Sequence, residues 1–224
     1  MKLRKLALAP IAAAAMMAFS MNASALSSGS WVLDHTEVAG QGSGPFGTVT
    51  VTETSANTVD VSVVLAAGVT GFVSTSDNHN AFTFTLANLG DGTSASISNI
   101  SSGFGIDPTV PTWNTPYGTF SAGIICTSCG SGGSNPNPGP LTFTITDAGG
   151  ISLSSFVLSG PPPADQGGWL FSADILANGF TGNVATNTPA IPEPETYAMM
   201  LAGLGMLGFI ARRRRQGLGN AVPA

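Results

Sequence analysis

The sequence predicts an all-β protein: a single antiparallel β-sandwich, of jelly-roll or Ig-like type, flanked by an N-terminal signal helix and a short C-terminal transmembrane helix. Three observations predict it. Apolar and threonine residues alternate in twos through the middle of the chain, the period of half-buried strands. Clusters of Gly, Asn, Ser and Pro separate those runs, as turns between short strands require. No amphipathic helical pattern of useful length occurs between Leu26 and Thr188.

Taken in order, the chain starts with Lys2, Arg4 and Lys5, then the apolar run Leu6 to Phe19, then Ala23-Ser24-Ala25. A positive start, a short apolar core and an A-x-A site make a secretory signal peptide over 1–25, cut before Leu26. The sandwich is expected over 26–178. Val49 and Val51 alternate with Thr48, Thr50 and Thr52; Val59, Val61 and Val63 with Asp60 and Ser62. Phe82, Phe84 and Leu86 alternate with Thr83 and Thr85, and Leu141, Phe143 and Ile145 with Thr142, Thr144 and Thr146. Further strands are expected at 120–125, 151–158 and 169–176. Thr54-Ser55-Ala56-Asn57, Asp91-Gly92 and Gly149-Gly150 supply turns. Long loops are expected at 101–118, 126–140 and from Pro161 to Trp169, and 179–191 shows no pattern and reads as a linker.

Charge is distributed unevenly. All seven Lys and Arg lie at the two ends, in Lys2, Arg4, Lys5 and Arg212 to Arg215. The body carries Asp34, Glu37, Glu53, Asp60, Asp77, Asp91, Asp107, Asp147, Asp165 and Asp174, with only His35 and His79 as bases. Nucleic acid is excluded as a partner, because phosphates need Lys and Arg to neutralise them. The surplus of acid favours solubility and contact with cations or neutral polymers.

The body offers few groups with a chemistry of their own. Cys126-Thr127-Ser128-Cys129 is too isolated for zinc, which takes four ligands. The glycines after Cys129 give no helix N-terminus to stabilise a redox thiolate. The pair is expected to form a local disulfide between Cys126 and Cys129 at the base of a loop. No G-x-S-x-G elbow occurs. His79 sits in a polar turn, and His35 has no obvious partner. Asp165 and Asp174 flank Trp169 and are the candidate carboxylates for glycoside hydrolysis, an idea weighed against ten scattered acids. Asp77, Asn78, Asp91 and Asp107 suit Ca2+ weakly; otherwise no cofactor or metal is expected. Trp113, Tyr117 and Trp169 are the candidate sugar contacts.

After the body comes Pro192-Glu193-Pro194-Glu195, a stiff extended segment. Tyr197 to Ala211 is uncharged and holds Gly203, Gly205 and Gly208. As a helix its fifteen residues would reach about 22 Å, short of a hydrocarbon core of about 30 Å. Arg212, Arg213, Arg214 and Arg215 would stop it on the cytoplasmic side. Pro192, Glu193 and Pro194, this short glycine-rich stretch and the arginine cluster together resemble the PEP-CTERM sorting signal over 192–215, with 216–224 as a cytoplasmic extension that such signals usually lack. The resemblance implies handling by an exosortase-type membrane protease as partner, transient contact with the inner membrane, and export to the surface or matrix of a Gram-negative bacterium. It also implies an association with exopolysaccharide and biofilm.

The function expected is therefore a non-catalytic, exported surface or matrix protein. A carbohydrate-binding or adhesive module is the first alternative, and a secreted glycoside hydrolase the second.

Overall fold

The alternation of valine and phenylalanine with threonine builds two antiparallel sheets that share one core. The computed structural model describes residues 26–74, 79–87, 95–109, 111–159, 168–186, 191–192 and 204, the pair 191–192 by its backbone. Among the described residues the first sheet has six strands: β1 (Ser28–Leu33), β3 (Gly47–Ser55), β4 (Thr58–Leu65), β7 (Ser96–Ser98), β12 (Leu141–Thr146) and β16 (Ile191–Pro192). Their order across the sheet is β16-β1-β3-β4-β12-β7. The second sheet holds β2 (His35–Thr36), β6 (Phe82–Leu86), β8 (Phe104–Ile106), β11 (Ala122–Cys126), β14 (Phe171–Ala177) and β15 (Phe180–Thr186). These run β2-β15-β14-β6-β11-β8, and β5 (Val69–Phe72) and β13 (Phe156–Val157) add to β14 and β6. A separate ribbon pairs β9 (Thr112–Trp113) with β10 (Thr119–Phe120).

The alternation decides which side chains face inward. Val49, Val51, Val59, Val61, Val63, Phe143 and Ile145 from the first sheet are buried against Phe82, Phe84, Phe171 and Ile175 from the second. Aromatic rings join the sheets directly. Trp31 meets Phe171 edge-on at 5.2 Å between centroids, and Phe84 stacks on Phe143 at 5.6 Å. Each fully buried ring of this size stabilises the fold by about 1.5–3 kcal/mol through area removed from water.

Three expectations need correction. Residues 151–158 are not one strand: a 3-10 turn, Leu153–Ser155, precedes the short β13. The interval 101–118 is not only loop, since β8 and β9 lie within it. Residues 179–191 are not a patternless linker, because Phe180 to Thr186 form β15 and pair along their whole length with β14. Alternation is lost in β15 because both of its faces are covered: Val184 packs in the core while Asn183 is buried on the other side. Asn178-Gly179 is the two-residue turn of this hairpin, with both residues at positive φ, 52° and 82°. That geometry is the reason for the Asn-Gly pair.

Signal-peptide residues 1–25 and the tail residues 193–203 and 205–224 lie outside the described residues. Among the described residues, no helix is long and apolar enough to cross a membrane.

Candidate functional site: the aromatic ribbon and the sorting segment

The ribbon β9–β10 lies over the outward face of the second sheet and is held there by buried polar groups. Asn114, fully buried, donates its amide to Thr83 Oγ1 at 3.2 Å and Ser172 Oγ at 3.0 Å. Thr83 and Ser172 are the positions of β6 and β14 that alternate with Phe82, Phe84 and Phe171, so they point away from the core. The turn from Asn114 to Gly118 closes on itself, with Tyr117 N–H donating to the Asn114 carbonyl and Asn114 N–H to that of Gly118. Asn183 Nδ2 then reaches Thr115 O at 2.6 Å and fastens the turn to β15.

Tyr117 and Trp169 belong to this fastening. Tyr117 is fully buried, its ring 5.0 Å from that of Trp169, and its hydroxyl donates to Asn183 O at 3.2 Å. Burial pushes its phenol well above the usual tyrosine range, with the nearby Glu37 charge adding to the effect. His35 lies against the pair, its ring tilted 31° to that of Trp169 at 4.6 Å between centroids, and bonds Glu37 at 2.8 Å. Of the three candidate sugar contacts, Trp113 is 52% exposed, whereas Tyr117 and Trp169 face the protein interior. The three rings therefore form no common platform for a sugar ring.

The other candidates are placed as follows. Cys126 and Cys129 are joined in a disulfide at the end of β11. The loop that follows is tied back by Asn135 Nδ2 to Ser128 O, and it pairs Asn137 with Phe72 of β5. Asp107 is buried and accepts from Asn80 Nδ2 at 2.7 Å and from Thr109 N at 2.8 Å. Burial alone would raise its pKa, but the hydrogen bonds from Asn80, Thr109 and Thr112 win and hold the carboxyl below the usual range. Asp174 is fully buried, with His79 Nδ1 at 3.8 Å. Burial holds the His79 pKa below its usual value. Asp165, the other carboxylate weighed for hydrolysis, lies outside the described residues, as do Asp77, Asn78 and Asp91. Among the described residues, no three His, Cys, Asp or Glu side chains come together in a way that could hold a metal ion.

Sequence reasoning missed where the C-terminal segment begins its departure from the body. Ile191 and Pro192 form β16, the outermost strand of the first sheet, and pair with Ser30 and Gly29 of β1. An edge strand tolerates proline because its outer side has no ladder to maintain. β1 itself starts two residues after Leu26. The expected export cut therefore falls just ahead of β1, and the Pro-Glu-Pro segment starts on the edge strand paired with it.

Residues 190–215 match the PEP-CTERM protein-sorting motif. The chain carries a PEP-CTERM sorting signal. No curated protein and no solved structure is similar enough to match the chain. The PEP-CTERM motif implies exosortase-dependent export and surface association. It implies passage across the inner membrane to the cell surface of a Gram-negative bacterium, with processing by a membrane-embedded exosortase. Glu193, Pro194, Tyr197, Gly203, Gly208 and Arg212 to Arg215, the remaining residues expected to carry the signal, fall within the matched segment and outside the described residues.

Proposed function

We propose that the protein is a non-catalytic component of the extracellular polysaccharide layer, with a β-sandwich body delivered to the surface through its PEP-CTERM tail. The observation that carries this reading is the match of 190–215 to the sorting motif. It is joined by a body with about ten acidic and no Lys or Arg side chains. The body's polar groups support the non-catalytic reading. Asp107 and Asn114 spend their hydrogen bonds on holding the ribbon and its neighbouring loop, and Asp174 is sealed from solvent. A hydrolytic carboxylate has to reach substrate and water.

Replacing Pro192, Glu193 and Pro194 together by alanine tests the reading. Protease shaving of intact cells is expected to cut the wild-type body and to spare the variant, which stays inside the outer barrier. Equal shaving of both would remove the tail from the delivery route and with it the proposal.

A further inference from the structure

The outward face of the first sheet is built almost entirely from short hydroxyl side chains, and the strand register aligns them in rows. Thr52, Asp60 and Thr144 stand side by side on β3, β4 and β12, and Thr50, Ser62 and Thr142 form the next row. Neighbouring strands lie about 4.8 Å apart and side chains two residues apart about 6.8 Å, so these six groups make a grid of about 10 Å by 7 Å. A trough of about 360 Å³ opens over this grid, with Asn99 at one end and Val61 and Phe143 contributing to its floor. Asn99 holds a left-handed backbone, φ 52°, and donates its amide to Thr144 Oγ1 at 3.3 Å. Thr144 Oγ1 donates in turn to Asp60 Oδ1 at 2.7 Å. That relay fixes the row containing the acid. The hydroxyls of Ser62 and Thr142 in the other row make no hydrogen bond to any described residue.

The chemistry of the trough narrows its occupant. The body has no Lys or Arg to meet an anion, and the one ionisable group in the trough is Asp60. Phosphates and uronic-acid polymers are repelled. No aromatic or long aliphatic side chain projects outward from the two rows, so an acyl chain or apolar peptide finds nothing to bury against. A hydroxyl both donates and accepts, and a row of them at one height suits a partner that presents the same groups at intervals. Solubility alone could be met by long charged side chains; here every outward position in both rows is short, which leaves the surface level.

We propose that this trough binds an uncharged, hydroxyl-rich polysaccharide chain laid across β3, β4 and β12. The proposal rests on the reading that the body works in the extracellular polysaccharide layer, and it places the contact on the threonine face, away from Trp113.

The test is affinity electrophoresis of the full-length protein in detergent, through gels containing dextran, hydroxyethylcellulose or alginate. At least one of the two neutral polymers is expected to retard the protein, and alginate is not. Thr50→Val combined with Thr142→Val removes two hydroxyls while keeping side-chain shape and strand propensity. It is expected to weaken retardation about tenfold or more, whereas Trp113→Ala leaves it unchanged. If the valine pair melts differently from wild type, Ser62→Gln, which fills the trough without touching the core, takes its place with the same expected loss. No retardation by either neutral polymer, retardation by alginate, or full binding by the trough variants would overturn the proposal. Shaving of intact cells reads the delivery route separately. Loss of binding by the trough variants with surface exposure retained separates the site from the sorting reading.

Discussion

Phe84 and Phe143 come from different sheets and stack at 5.6 Å with their planes 21° apart, so they test how the body is held together. Both are essentially buried, at 0% and 2% exposure. Truncating either to alanine removes a large apolar group and leaves a cavity, which costs about 3–5 kcal/mol. For a body of this size that corresponds to a fall in Tm of about 6–20 °C. The stacked pair adds about 0.5–1.5 kcal/mol beyond its buried area. Phe84→Ala with Phe143→Ala should therefore destabilise by less than the sum of the single changes, by about 1 kcal/mol. Urea unfolding of the wild type, both single variants and the double variant, followed by tryptophan fluorescence, gives the coupling directly. Additivity to within about 0.3 kcal/mol, the behaviour of distant sites, would mean that the two sheets do not meet through these rings.

Other expectations follow from single features of the structure. Reduction of the Cys126–Cys129 disulfide closes no long loop, so it should cost about 2 kcal/mol, seen as a fall in Tm of about 4–8 °C; a much larger fall would mean the bond also props up β11. Asn114→Ala deletes two buried hydrogen bonds and takes the donor away from Ser172 Oγ, while Thr83 Oγ1 keeps its bond to the Ser172 carbonyl, a cost of about 1–3 kcal/mol. Hydrogen exchange should then speed up over 112–120 before the rest of the body, and unchanged protection there would refute the fastening role. Asp107 has a folded pKa below its unfolded value of about 3.9. Its stabilisation is thus complete above the unfolded value and is lost as pH falls through the folded one. Asp107→Asn should flatten that acid limb of the stability curve, and an unaltered limb would assign it to other carboxylates.

The sequence showed the four central strands well, for a physical reason. β3, β4 and β12 keep one face in water, and β6 keeps its Phe82 and Phe84 alternation with threonine, so period two survives in the residues. β15 was hidden because the ribbon and the loop beside β2 cover its second face, and polar residues such as Asn183 are buried there through hydrogen bonds. The Asn178-Gly179 dipeptide was the readable signal for that hairpin. The aromatic cluster misled for a related reason. Composition places Trp113, Tyr117 and Trp169 in loops, but only the fold shows that Tyr117 and Trp169 turn inward onto His35 and Asn183. The sorting signal was legible in full as a three-part order of residues, because it is recognised as a segment. Its attachment to β1 was not, since a two-residue edge strand carries no periodicity.

The central claim is that the tail is an address read by an exosortase. The intact mass of the protein recovered from the cell surface, with and without the host's exosortase, tests it most directly. A surface species that lacks Arg212 to Arg215 is expected when the enzyme is present, and a full-length tail retained with the cells when it is absent. A surface protein of the same mass in both cases, still carrying the arginines, would contradict it.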